Sequence, residues 1–332
     1  MTFPFYYGQG QQRSDLPVTL PGSRRAQMLN PENYLADAGL VDACNVALLL
    51  GQPLLLTGEP GTGKTEFAAS LAWELGLDRP LKFETKSTST ARDLFYIYDA
   101  LKRFQDAQSN IQAASALPYI SYQALGAAIL RTRNPAEVRE YRPPGFEHTA
   151  KTRSVVLIDE IDKAPRDLPN DILNELERMY FRIPELGGAL IEADPALHPV
   201  VIITSNSEKD LPDAFLRRCV YYNIPFPGLE RLQRIVSGRL GLYATDSTAF
   251  IKDALELFNE LRSPASGLRK NPATAELLDW MAALKDMSGN ADNPLAKPDL
   301  ALRALSNLVK TAEDQKKAQG IVQRWMDKRR KA

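Results

Sequence analysis

Cysteine and histidine are scarce in this sequence, with two of each among 332 residues. Cys44 and Cys219 lie too far apart along the chain to suggest a disulfide framework or a zinc site. His148 and His198 fall in predicted loops with no nucleophile near them, so neither is assigned a role. Thiols used this sparingly favour a reducing compartment, and we expect a cytoplasmic protein.

An excess of charge and a long apolar run are also lacking. Lys plus Arg and Asp plus Glu number 41 each, so the formal net charge is zero. Non-specific nucleic-acid binding needs a basic surplus, and the balance argues against it while leaving room for a local basic patch. The longest apolar stretch, VALLLGQPLLLTG, is interrupted by Gly51, Gln52 and Pro53, which excludes a membrane span. The N-terminus lacks the basic start and apolar core of a signal peptide.

The sequence instead contains short strand patterns that alternate with helical ones. Most of these strands are almost wholly apolar, which is typical of strands buried on both faces of a parallel sheet. We therefore predict an α/β fold in which helices flank a parallel sheet. The predicted strands are PLLLTG at 53–58, LKFE at 81–84, SVVLID at 154–159 and VVIITSN at 200–206.

Two changes in composition predict the organisation of the chain. Residues 1–30 are rich in Gly, Gln, Pro and aromatics without a period, and they predict an extended arm. After Gly228 no strand pattern remains. We therefore predict an α/β core over 31–228 and a small α-helical domain over 229–332. Helical patterns within the core include 31–49 and 91–107.

The stretch GEPGTGKT at 58–65 matches the phosphate-loop pattern G-x-x-x-x-G-K-[ST], or Walker A motif. It stands between a predicted strand and a predicted helix, the context that separates this motif from a merely flexible glycine turn. Backbone N–H groups at the helix N-terminus can surround phosphates, Lys64 can reach the β- and γ-phosphates, and the Thr65 hydroxyl can hold Mg²⁺. The predicted nucleotide-binding residues here are Gly58, Gly61, Thr62, Gly63, Lys64 and Thr65.

The stretch VVLIDE at 155–160 supplies a second, acidic motif of the Walker B kind. Its apolar residues bury the strand and deliver Asp159 at the carboxyl end, where open α/β sheets bind their ligands. Asp159 is predicted to hold Mg²⁺ through water. Glu160 is predicted to act as the general base that polarises the attacking water. The alternative for Glu160 is an exposed carboxylate at the end of a strand.

The fourth predicted strand, VVIITSN, ends in Asn206, and LRRC follows it. Together with the two motifs above, these stretches resemble the AAA+ ATPases over about residues 31–332. The resemblance implies that Asn206 helps to place the lytic water and that 229–332 is the lid domain of that family. It also implies ATP and Mg²⁺ as ligands.

The finer pattern resembles the MoxR-like branch of these ATPases. A hairpin pattern at about 181–194 stands where that branch carries a β-hairpin insertion. The extra length at about 87–148 matches its insertion in the second core helix. The run SNSEKDLPDAFLRRCVYYNIPFP aligns with its asparagine, Leu-Pro, arginine and apolar strand.

The arginine pair in DAFLRRC has two interpretations. In AAA+ rings an arginine after the Asn206 strand reaches the nucleotide of the neighbouring subunit, and Arg218 falls at that position. Arg217, one position away, is interpreted as a phosphate-proximal helper or a salt-bridge partner. The alternative for Arg218 is a structural role. An arginine finger is worth about 10³–10⁵ in rate, whereas a surface arginine changes stability by roughly 0.5 kcal/mol or less.

The helical tail departs from the resemblance at one point. Family members carry an arginine at the start of a lid helix that contacts the γ-phosphate. The MoxR-like pattern would place it where Ala273 stands, but GLRKNPATAELLDW offers Arg269 and Lys270 just before Pro272. Arg269 is our choice for this sensor. A solvated pair flanking the helix is the alternative.

Three aromatics in DLFYIYDAL lie within the long insertion, namely Phe95, Tyr96 and Tyr98. In related rings this region faces the central pore, where aromatics could touch a substrate. Aromatics at helical spacing more often belong to a core, and we favour that interpretation.

The resemblance implies a hexameric ring that remodels or activates a protein partner in the manner of a chaperone, the partner bearing a von Willebrand factor A-type domain. Two other functions stay open. One is a nucleic-acid-directed motor of a restriction or defence system, with GTP in place of ATP; the balanced charge argues against it. The other is a nucleotide-gated scaffold, which would have no need of Glu160.

Overall fold

The structure is a computed structural model, and it describes residues 5, 30–109, 115–207, 211–241, 248–289 and 291–331. The predicted arm at 1–30 lies outside the described residues except for its positions 5 and 30. The chain forms two compact units. Of the described residues, those within Ala36–Glu59 and Gly63–Pro225 form the sheet unit, and those within Met1–Leu35, Pro60–Thr62 and Phe226–Ala332 form the helical unit.

Five parallel strands form the central sheet of the sheet unit, in the order β2 (Leu81–Glu84), β5 (Val155–Asp159), β8 (Val200–Thr204), β1 (Leu54–Thr57) and β9 (Val220–Asn223). Every residue of β1 and β5 is buried, which explains their apolar runs. The prediction of a parallel sheet flanked by helices is confirmed. The other described strands are β3 (Tyr96–Tyr98), β4 (Ile120–Tyr122), β6 (Tyr180–Ile183) and β7 (Ala189–Glu192).

Helices separate the strands of the sheet unit and make up the regular structure described after Pro225. In the sheet unit they are α1 (Ala38–Leu50), α2 (Lys64–Glu74), α3 (Ala100–Gln108), α4 (Ala124–Thr132), α5 (Leu168–Asp171), α6 (Leu173–Arg178) and α7 (Asp213–Leu216). In the helical unit they are α8 (Leu229–Leu240), α9 (Thr248–Arg262), α10 (Thr274–Met287), α11 (Pro298–Arg303), α12 (Leu305–Leu308) and α13 (Ala312–Lys331).

The prediction of one helix over 31–49 was wrong at its start. Pro31–Asn33 form a short 3₁₀ helix, and the α-helix α1 begins only at Ala38. The Asp37 carboxylate accepts a hydrogen bond from Leu40 N at 2.9 Å and so caps the helix. Gly51, with φ 64°, ends it in the left-handed conformation that glycine adopts readily.

The prediction of a helix over 91–107 was also wrong in its middle. Tyr96–Tyr98 form β3, which pairs antiparallel with β4. Phe95 and Tyr96 are buried, so the interpretation of these two aromatics as core is confirmed, although they lie next to or on a strand rather than on a helix. Only Ala100–Gln108 of this stretch forms a regular α-helix, α3.

A cluster of aromatic rings joins β3 and β4 to a second antiparallel pair, β6 and β7. Phe181 of β6 stacks on Phe95 with ring centroids 5.3 Å apart and meets the edge of Tyr122 at 6.0 Å. The Tyr96 hydroxyl donates to Glu185 Oε2 at 2.8 Å. Each antiparallel strand pair thus covers an apolar face that the other pair could not bury alone.

The helical unit has a core of its own. Trp280 of α10 and Trp325 of α13 are almost completely buried in it, together with Phe258 of α9. The buried Asp253 carboxylate pairs with Arg329 and accepts a hydrogen bond from Asn293 Nδ2 at 2.6 Å, so the charge is compensated. Among the helices in the described ranges, none is long and apolar enough to cross a membrane.

Candidate nucleotide site

The phosphate-loop sequence connects β1 to α2. Gly58, Gly61 and Gly63 have φ angles of 135°, 78° and 90°, in the region where a side chain would be strained. Thr62, between the last two, is half-buried. The glycines of the motif therefore stand where the backbone turns, and α2 begins directly after them at Lys64.

Lys64 is held by the loop that precedes it. Its ammonium donates to Gly58 O at 2.8 Å and to Glu59 O at 3.1 Å, and the side chain is buried. Burial lowers the pKa of Lys64, and the nearby carboxylates, Asp162 first among them, oppose that shift. A cation placed so close to the loop can meet a bound phosphate without a large movement.

Asp159 ends β5 and collects three donors. Its Oδ1 accepts from Thr65 Oγ1 at 3.0 Å and from Thr204 Oγ1 at 2.7 Å, and its Oδ2 lies 3.0 Å from Lys82 Nζ. Burial alone would raise the pKa of Asp159, but the hydrogen bonds from Thr204, Lys82 and Thr65 outweigh it and hold the pKa below its ordinary value. The carboxylate is therefore ionised at neutral pH.

Thr65 and Asp159 present the kind of ligands that Mg²⁺ prefers, a hydroxyl and a carboxylate oxygen 3.0 Å apart. They lie at the N-terminus of α2, which favours negative charge such as phosphate. The chemistry of these donors therefore fits a magnesium–polyphosphate ligand.

Glu160 follows Asp159 in an unusual backbone conformation. Its φ and ψ are 57° and 54°, and it is one of two non-glycine residues with positive φ in the described part of the chain. Its N–H donates to Thr204 Oγ1 at 2.9 Å, and its carboxylate pairs with Lys163. Strained residues of this kind concentrate at functional sites.

Asn206 lies two residues beyond the end of β8, and β8 is the strand beside β5 in the sheet. Its backbone N–H donates to Asp162 Oδ1 at 3.3 Å, and its side chain is exposed. The structure therefore brings Lys64, Thr65, Asp159, Glu160 and Asn206 to the same carboxyl edge of the sheet.

The arginine pair lies at the opposite, amino edge of the sheet, where the parallel strands begin. Arg217 and Arg218 precede β9, whose first residue, Val220, pairs with Leu54 at the start of β1. The phosphate loop follows the end of β1, about 13 Å away along the strand. Arg218 Nε lies 3.4 Å from Glu177 Oε2, and both side chains are exposed. The structure does not bring the arginines to the phosphate loop of their own chain.

Arg269 lies in the helical unit and contacts α13. Its guanidinium lies 3.3 Å from Glu313 Oε2, and its backbone N–H donates to Asp314 Oδ1 at 3.0 Å. Lys270 N donates to the other oxygen of Asp314. The bond from Arg269 is the main cause of a lowered pKa at Asp314. The buried carboxylate of Asp314 thus anchors the backbone at Arg269 and Lys270.

Two residues that contact Asp159, Lys82 and Thr204, were not predicted from the sequence. Thr204 stands in VIITSN, where the polar end of an apolar strand was a usable signal for Asn206 and equally for Thr204. Lys82 in LKFE gave no signal, because its contact with Asp159 depends on β2 lying beside β5.

Comparison with known proteins places these features in a family. A sequence model of the AAA domain of the dynein-related subfamily matches residues 53–219, just over half of the chain. Among solved structures, the Thermotoga maritima RuvB Holliday junction branch migration motor is 14% identical, with a TM-score of 0.43, and the match covers 83% of this chain and 69% of that one. Two variants of that motor are 16% and 15% identical, with TM-scores of 0.43 and 0.42 and the same coverage. A search of curated proteins finds no match.

Proposed function

Because the chain belongs to the dynein-related subfamily of AAA domains, we propose that it is an ATPase that hydrolyses Mg²⁺-bound ATP to ADP and phosphate. The observation that carries this proposal is the meeting of Thr65, Asp159 and Glu160 at the end of the phosphate loop. P-loop enzymes of this family generally bind a nucleotide with Mg²⁺.

Each residue at the carboxyl edge has a role in this proposal. The loop N–H groups and Lys64 bind the phosphates, and Thr65 and Asp159 hold the metal. When bound, Mg²⁺ neutralises phosphate charge. Glu160 accepts a proton from the attacking water, and Asn206 orients that water. The bond from Glu160 N to Thr204 fixes the backbone from which the base projects.

Arg218 completes the site of a neighbouring copy in this proposal. Its position at the amino edge supports an action between chains, since its own phosphate loop lies at the opposite edge. Arg217, next to it, assists at the same phosphate or pairs with a carboxylate. Members of this family commonly assemble into rings, and we propose a hexamer.

The remaining roles follow the MoxR-like resemblance. We propose a nucleotide-binding core over 31–228, with insertions at about 87–148 and 181–194, and a lid over 229–332 in which Arg269 senses the γ-phosphate. The ring would remodel a protein partner that carries a von Willebrand factor A-type domain. The balanced charge supports a protein rather than a nucleic-acid partner, and two free cysteines support a cytoplasmic location.

A mixture of two inactive variants tests the proposal. Lys64→Ala removes phosphate binding but keeps Arg218, whereas Arg218→Ala keeps the phosphate loop but lacks the finger. We expect each variant alone to hydrolyse ATP at least about 10³-fold more slowly than wild type. Mixing them should restore part of the activity, because some interfaces then join an intact loop to an intact Arg218.

Co-purification of differently tagged chains is the control for subunit exchange, and Glu160→Gln mixed with Arg218→Ala repeats the test with a second loop-side variant. A mixture that exchanges subunits and stays inactive would contradict the action of Arg218 between chains. A wild-type protein without ATP hydrolysis would contradict the ATPase itself.

A further inference from the structure

Lys82 on β2 reaches the carboxylate that ends the neighbouring strand. Its Nζ lies 3.0 Å from Asp159 Oδ2 and 2.8 Å from Glu84 Oε1. The parallel register places Glu84 directly beside Asp159, so Lys82 can reach both. One ammonium is therefore shared between a nearly buried carboxylate, 11% exposed, and an open one, 71% exposed.

The two oxygens of Asp159 have separate partners. Oδ1 accepts the hydroxyls of Thr65 and Thr204, and Oδ2 faces Lys82. The two hydroxyls can keep the carboxylate in its orientation without the lysine. The distinct contribution of Lys82 is thus a positive charge at Oδ2, the carboxylate oxygen that does not contact Thr65.

We propose that Lys82 is a positioning residue that acts through Asp159 and limits how strongly the Thr65–Asp159 pair attracts Mg²⁺. This inference rests on the proposed function, since it takes these two residues as the metal site. An ammonium group at one oxygen of the carboxylate repels a metal cation held at the other oxygen. Glu84 opposes this effect, because it draws on the same ammonium. Lys82 therefore weakens metal binding and Glu84 strengthens it, which favours release of the metal after each turnover.

The test titrates Mg²⁺ against the full chain in the presence of a fluorescent ADP analogue and reads the analogue's binding. Lys82→Met should lower the half-saturating Mg²⁺ concentration roughly tenfold, the size of the interaction between a unit charge and a divalent cation a few ångströms apart at the dielectric constant of water. Lys82→Arg keeps the charge and should match wild type. Glu84→Gln should raise the half-saturating concentration.

Lys102→Met is the matched control, since Lys102 is an exposed lysine on α3 and should leave the titration unchanged. Circular dichroism without Mg²⁺ verifies that the variants are folded. If Lys82→Met does not fold, the upward shift of Glu84→Gln decides the question alone.

The outcomes separate the inference from the function on which it rests. Curves of Lys82→Met or Glu84→Gln that coincide with wild type overturn the role of Lys82 while leaving the ATPase in place. Wild-type binding of the analogue that is independent of Mg²⁺ overturns the inference alone, whereas a wild-type chain that neither binds the analogue nor hydrolyses ATP overturns both.

Discussion

At the residue scale, Thr204 connects the two acidic residues of the carboxyl edge through one hydroxyl. Its Oγ1 donates to Asp159 Oδ1 and accepts from Glu160 N. The left-handed backbone of Glu160 costs about 1–3 kcal/mol, so it persists only where its surroundings hold it in place. The Thr204 bond is one such restraint, and it places the base relative to the metal ligand.

Thr204→Val keeps the shape of the side chain and removes both hydrogen bonds. The loss leaves the N–H of Glu160 without its partner, a cost of about 1–3 kcal/mol. We expect kcat for ATP hydrolysis to fall roughly tenfold to hundredfold. ADP binding without Mg²⁺ should change little, since Thr204 does not belong to the phosphate loop. Steady-state kinetics and ADP titration measure the two effects.

Thr204→Ser is the control for this substitution, because it keeps the hydroxyl and should keep most of the activity. Unchanged kcat in Thr204→Val would contradict a role in placing Glu160.

The meeting of Thr65 and Asp159 could be predicted from the sequence, whereas the contacts of Lys82 and Thr204 could not. A phosphate loop must follow a strand and open a helix, and an apolar strand ending in Asp must present it at the same edge. Those rules place Thr65 and Asp159 at the same end of the sheet, and the order β5-β8-β1 leaves them 3.0 Å apart. Lys82 and Thr204 reach Asp159 only because β2 and β8 flank β5, and the sequence carries no record of that order.

At the element scale, the parallel strands could be predicted and the antiparallel pairing of β3 with β4 could not. β1, β5 and β8 are apolar runs of four or five residues, which carry a strong local signal. β3 has three residues, and its partner β4 begins more than twenty residues later. A local pattern therefore favoured a helix, and a distant pairing decided the structure.

Gly126 shows how closely α4 packs against Phe95, the residue just before β3. It lies on α4, where a Cβ atom would overlap the carbonyl oxygen of Phe95 and lie 2.7 Å from its carbon. Phe95 O also accepts a hydrogen bond from Gln123 N at 2.8 Å, which holds this carbonyl beside the start of α4. Gly126→Ala should lower the free energy of unfolding by about 1–3 kcal/mol or more, as measured by urea denaturation.

Gly320→Ala is the matched control, since Gly320 lies in α13 and a Cβ there meets only Arg324 Nη1 at 3.6 Å. It should stabilise the protein by up to about 1 kcal/mol through helix propensity. A destabilisation by both substitutions, or by neither, would contradict the close packing of α4 on Phe95.

At the scale of the whole molecule, we expect two histidines to make the stability depend on pH below their unfolded pKa of about 6.5. His148 is buried, with Nε2 2.9 Å from Arg133 O. Burial is the main cause of the lowered pKa of His148, and burial with the charge of Arg153 lowers the pKa of His198. Protonation therefore favours the unfolded chain, in which both pKa values return to about 6.5.

The stabilising contribution of the neutral histidines is complete above pH 6.5 and is lost as the pH falls toward their lowered pKa values. We expect the thermal unfolding midpoint to fall by several degrees between pH 7.5 and 5.5. The double substitution His148→Gln, His198→Gln should flatten this profile, because the chain contains no other histidine. A double variant with the same slope as wild type would assign the pH dependence to other groups.

A sheet whose five strands all run in one direction has two chemically different edges. One carries the phosphate loop and the acidic pair, and the other carries Arg217 and Arg218. Where each interface joins the arginine edge of one copy to the loop edge of the next, the copies associate head to tail. Repeated head-to-tail association closes into a ring or grows into a filament. The direction of the strands thus gives every assembly of this kind a polarity, with an unmatched loop at one end and an unmatched arginine pair at the other until the circle closes.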